Sequence, residues 1–123
     1  MTALVLTTVN LSAPDPVELA RFYSRILGWP VVTEEPDWAV VRDPAGGVGL
    51  AFQSEEHYQR PVWPATATDQ QMMVHLEIRV HDLDGSVAHA LECGATLADF
   101  QPQDDVRVCL DPVGHPFCLW LGE

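Results

Sequence analysis

Hydrophobic and polar positions fall into two successive patterns along the chain, and the second nearly repeats the first. Val5–Ala13 (VLTTVNLSA) alternates and is rich in β-branched residues, which predicts a strand. A helix follows: Leu19, Phe22, Tyr23 and Ile26 recur at i, i+3, i+4 and i+7. Asp15 supplies its N-cap, Pro16 fits the first helical position, and Gly28 supplies the stop. WPVVTEE, DWAVVRD and GVGLAFQ then read as three short strands. From His57 to about Gln71 the periodicity stops, and two prolines and a tryptophan mark a linker. The pattern restarts with VHLEIRV (Val74–Val80), a helix capped by Asp82 or Asp84 and ending at Gly94, and the strands TLADFQ, VRVCLD and PFCLWLG. The order is βαβββ, linker, βαβββ: module one over about 1–56, linker about 57–71, module two about 72–123.

A short phrase punctuates both modules. Asp-Pro-x-Gly begins at Asp43 and again at Asp111, each time between the third and fourth strands. Proline presets φ and glycine permits positive φ, as a tight turn requires.

Composition narrows the class. At 123 residues, 47% of them hydrophobic, the chain is expected to be one folded domain. Its formal net charge is −12, from 18 acidic and 6 basic residues, which disfavours nucleic acid and anionic membranes as partners. No apolar run approaches a membrane span, and the first residues lack a basic segment of secretory type. Cys93, Cys109 and Cys118 are odd in number and lack CxxC spacing, which favours reduced thiols and a cytoplasmic location.

Three stretches, ARFYSRILGW, RPVWP…QQMMVHLEIRVHDLD and LDPVGHPFCLWL, resemble the vicinal-oxygen-chelate superfamily, the glyoxalase/bleomycin-resistance/dioxygenase fold, and its glyoxalase-like subgroup in particular. The resemblance spans essentially the whole chain. It implies an α+β fold: two βαβββ modules forming a curled mixed sheet around a cavity, with helices on the convex side, in a homodimer.

Strand alternation divides the faces. Leu76, Ile78 and Val80 are expected to meet the helix layer, leaving His75, Glu77 and Arg79 toward the cavity. Aligning Val80 with Leu11 puts Leu6, Thr8 and Asn10 on the equivalent face of module one. Leu50 and Phe52, and in module two Cys118 and Trp120, are expected to face the cavity from the last strands. Metal-using members of the superfamily take one ligand from the first and one from the last strand of each module. Carried over, those positions land on Leu6, Leu50, His75 and Cys118, and two leucines offer no donor.

The expectation is therefore a metal-independent small-molecule-binding protein, with a sequestering role like that of the resistance proteins it resembles. Asn10, Trp38, Leu50, Phe52, Trp63, His75, Glu77, Arg79, Cys118 and Trp120 are the candidate ligand-binding residues, with Trp63 as a gate. Tryptophan walls with few polar groups suit a planar or cationic ligand. Two alternatives stand beside it: a lyase or isomerase using His75 and Glu77 as acid–base pair, or a divalent metal such as zinc on His75, Glu77 and Cys118.

Overall fold

The computed structural model describes residues 2–122. Its elements are β1 (Thr8–Ala13), α1 (Pro16–Leu27), β2 (Val31–Glu35), β3 (Trp38–Val41), β4 (Gly49–Ser54), β5 (Leu76–Val80), α2 (Leu83–Cys93), β6 (Thr96–Leu97), β7 (Val106–Leu110) and β8 (Pro116–Leu121). The strands form two four-stranded mixed sheets, ordered β1-β4-β3-β2 and β5-β8-β7-β6. In each, first and last strands pair in parallel and the remaining pairs are antiparallel. The two compact units divide between Tyr58 and Gln59, so the irregular segment after Tyr58 belongs to module two.

Local chemistry fixes the helices. Asp15 accepts hydrogen bonds from the backbone N–H groups of Val17 and Glu18, Pro16 opens α1, and Gly28 ends it at φ 72°. Leu19, Phe22 and Tyr23 are buried along one stripe. In α2, Asp82 rather than Asp84 is the cap, accepting from Gly85, and Gly94 ends the helix at φ 115°.

Both Asp-Pro-x-Gly phrases form the same turn. The Gly46 N–H donates to Asp43 O and the Gly114 N–H to Asp111 O, each at 2.9 Å, with φ 96° and 98° at the glycines. Asp111 is buried because its carboxylate accepts from Val113 N and His115 N, both at 3.0 Å.

The turns differ by one residue, and this corrects the face assignment in module one. Between the shared phrase and β4 stands an additional glycine, Gly47, at φ 94°. It advances β4 by one residue relative to β8, and a one-residue slip exchanges the faces of a strand. Phe52 accordingly stacks on Tyr23 of α1, ring centroids 5.6 Å apart, instead of facing away from the helix. Leu50 shares the Phe52 face and is also buried. The opposite face of β1 and β4 carries Asn10 beside Ala51, with Trp38 opposite Gln53.

β1 also needs a shift. Ala13 and Val80 each stand two residues before their helix caps, so Val80 corresponds to Ala13 and not to Leu11. Leu6 lies before β1 and is exposed; Thr8 is the true counterpart of His75, and Ala51 that of Cys118.

The expected strand TLADFQ shrinks to Thr96–Leu97. Beyond it Gln101 takes the place of a strand residue: its side-chain amide donates to Val108 O at 2.9 Å and accepts from Val108 N at 3.0 Å. This bond pair holds the following loop against β7.

Candidate functional site

Module two presents a hollow of about 490 Å³ lined by Trp63, His75, Glu77, Phe100, Pro102, Gln103, Val106, Val108 and Cys118. Register explains the gathering. Glu77 stands beside Cys118, and Cys118 beside Val108, on adjacent strands, so their side chains share one sheet face. Leu76, Ile78, Phe117 and Leu119 occupy the other face.

At the centre, His75 Nε2 lies 2.8 Å from a Glu77 carboxylate oxygen. One ligand atom each of His75, Glu77 and Cys118 falls within 4.8 Å of the others. Burial first, then a hydrogen bond to the Glu77 carboxylate and its charge, push the Cys118 thiol up to about 12. The thiol is therefore a neutral donor to Glu77, not a nucleophile. Trp63 covers the group: its ring stacks on His75 at 4.8 Å and 27°, and meets Phe100 edge-on at 5.3 Å.

Four of the residues singled out from sequence, Trp63, His75, Glu77 and Cys118, thus meet in one hollow. Arg79 and Trp120 are register partners one step along the same face, both exposed. Asn10 and Trp38 belong to module one, and Leu50 and Phe52 pack toward α1 there. Sequence reasoning missed Phe100, Pro102, Gln103, Val106 and Val108. The alternation of VRVCL, placed in register with β8, points to the two valines. Phe100, a lone aromatic in a polar loop, carries no periodic signal.

In module one the counterparts of His75 and Cys118 offer no free pair of metal donors. Ala51 has no donor, and the Thr8 hydroxyl already accepts from the Arg42 guanidinium at 2.7 Å. Only His75, Glu77 and Cys118 form a group with metal-binding potential among the described residues.

Paired βαβββ modules with a polar cluster on the first and last strands of the second define a glyoxalase-like protein. The chain belongs to the glyoxalase-like domain family, whose model matches residues 8–120. No curated protein matches it. Among solved structures it is similar to a glyoxalase/bleomycin resistance protein/dioxygenase family enzyme from Burkholderia phytofirmans PsJN, with 22% identity, 93% and 95% of the two chains covered, and TM-score 0.69. It is similar also to the oxidase ChaP-H2, at 21% identity, 99% and 96% coverage and TM-score 0.68. The bleomycin-binding protein from bleomycin-producing Streptomyces verticillus, solved with copper(II)-bleomycin, matches at 19% identity, 100% coverage of both chains and TM-score 0.62. At these identities the likeness is one of fold. No helix among the described residues is long and apolar enough to cross a membrane.

Proposed function

We propose that this protein binds a flat, cationic small molecule in the hollow of module two, without a metal, and sequesters it. The observation that carries the reading is an aromatic-walled hollow of about 490 Å³ with a carboxylate, Glu77, inside it. That volume is within the range of roughly 300–1,000 Å³ common for small-molecule sites. No arginine lines it among the described residues. Trp63 and Phe100 offer ring faces to a planar cation. The His75 ring holds Glu77 in place, and Glu77 keeps about half its side chain exposed to meet a ligand. The net charge of −12 favours encounter with cations, so affinity falls as salt rises. We further infer that the protein works as a homodimer in the cytoplasm, where its three free cysteines stay reduced.

Benzamidine, a flat organic cation, tests the site. Tryptophan fluorescence titration is expected to give binding that weakens about tenfold or more in Glu77→Gln and Trp63→Ala. If benzamidine does not bind, or if both variants bind within about twofold of the parent, the reading falls.

A second reading rests on the three clustered donors. His75, Glu77 and Cys118 would hold a zinc ion, which supplies Lewis-acid polarisation of a substrate oxygen when bound. The geometry favours it less. Tetrahedral zinc at ~2.05 Å from its ligands spaces them about 3.3 Å apart, whereas His75 and Glu77 are hydrogen-bonded at 2.8 Å. Elemental analysis settles the choice: about one zinc per chain, retained on dialysis and lost in Cys118→Ala, replaces the first reading with the second.

A further inference from the structure

We propose that the site continues past the hollow along the same sheet face, where Arg79 beside Trp120 forms a carboxylate subsite, so that the ligand is a flat dipolar molecule. Its cationic end meets Glu77 and its carboxylate meets Arg79. This rests on the binding reading above and adds the second pole of the ligand.

Three observations lead there. Glu77 and Arg79 are alternate residues of β5 and point to one face, about 6.5 Å apart along the strand. An acid and a base at that separation match a small molecule charged at opposite ends.

The second is the state of Arg79. All six basic residues are arginines. Arg21 pairs with Glu18 and Glu34, Arg42 donates to Thr7 O and Thr8 Oγ1, and Arg107 donates to Asp104 O and Val106 O. The Arg79 side chain, like that of Arg60, has no ion pair or hydrogen bond among the described residues, in a chain with 18 acidic ones. Its five N–H donors remain available in fork geometry.

The third is the floor of the subsite. A Cβ built on Gly122 would stand 2.5 Å from the Trp120 ring and 2.9 Å from Arg79 Cγ and Cδ. The arginine stem and the indole thus close over one backbone point, and the missing side chain at Gly122 lets them do so. An indole beside the stem limits where the guanidinium can go. A single guanidinium matches one carboxylate in charge and in bidentate shape.

The test compares three probes on the intact protein by tryptophan fluorescence: benzamidine (cation), benzoate (anion) and 4-amidinobenzoate (both, at opposite ends). 4-Amidinobenzoate is expected to bind about tenfold or more tighter than benzamidine, and benzoate more weakly than either. Arg79→Gln should erase that advantage, and because it removes a positive charge near Glu77 it should bind benzamidine at least as tightly as the parent does. Gly122→Ala, which crowds the stem and indole, should reduce the advantage in the same direction. Circular dichroism confirms that each variant is folded. If 4-amidinobenzoate and benzamidine bind alike in the parent protein, or the advantage survives Arg79→Gln, the carboxylate subsite is overturned while the hollow stands. If benzamidine itself fails to bind or ignores Glu77→Gln, the binding reading falls and the subsite with it.

Discussion

The cysteines separate by environment. Cys109 and Cys118 are buried on β7 and β8, while Cys93, near the end of α2, is half-buried. Burial raises the Cys109 thiol to about 11, and burial together with Glu77 raises that of Cys118 to about 12. At pH 8 a thiol of the latter kind is ionised on the order of 1 part in 10,000, and the thiolate is the reactive form. Iodoacetamide treatment of the native protein at pH 8 is therefore expected to give one adduct, on Cys93, by peptide mass spectrometry. Rapid alkylation of Cys118 would show that its thiol is neither shielded nor held protonated beside Glu77. The sign is set by the direction of the shift. Because the folded protein holds both thiols protonated above the ordinary value of 9.0, the stability they contribute is complete below that pH. It is lost as pH rises toward 12.

At the scale of elements, the repeated turn is where the sequence was both most readable and most misleading. The Asp-Pro-x-Gly phrase correctly marks a turn before the last strand of each module, and the helix caps and stops at Asp15, Gly28, Asp82 and Gly94 are where the residue types place them. Counting from that phrase, however, carries Leu50 onto Cys118, because nothing in the spelling says that Gly47 is an insertion. Hydrophobicity does not correct the error, since Leu50, Ala51 and Phe52 are all buried and the strand shows no alternation. The same holds at β1, where the apolar run Leu4–Leu6 extends the strand pattern beyond the strand itself. In module two the alternation of HLEIRV is clean, and it puts His75 and Glu77 on one face, which Cys118 shares by register. Phe100 carries no such signal, because its position depends on the Gln101 amide bonds to Val108 rather than on any periodicity.

The two turns also differ in surroundings, which yields a paired prediction. Gly46 and Gly114 share positive φ, but a Cβ on Gly46 meets nothing within 4 Å, whereas one on Gly114 would overlap the Arg60 side chain. Gly46→Ala is expected to cost about 1 kcal/mol, from left-handed backbone strain alone. Gly114→Ala adds the displacement of Arg60 and should cost about 2–3 kcal/mol. Urea denaturation of both variants checks the order. Equal losses would mean that Arg60 moves aside freely.

For the whole molecule, charge and apolar exposure act against each other in the proposed homodimer. Two chains of −12 repel, so association needs apolar contact to offset it. The chain has such surface before its first strand: Leu4, Val5 and Leu6 are 89%, 80% and 73% exposed. They lead into β1, an edge strand paired only with β4 in its sheet. An exposed apolar run joined to an open edge is a ready place for a second chain to add. Light scattering at micromolar concentration is expected to give twice the chain mass, and added salt should tighten the dimer by screening the repulsion. Replacing Val5 and Leu6 by Glu places four more negative charges in each dimer and removes the apolar contact, so the variant should run as a monomer. Its circular dichroism should remain that of the parent, because neither residue belongs to a strand or to the buried core. A parent protein that is monomeric across this range would remove the dimer. A Glu variant that still dimerises would move the interface away from β1.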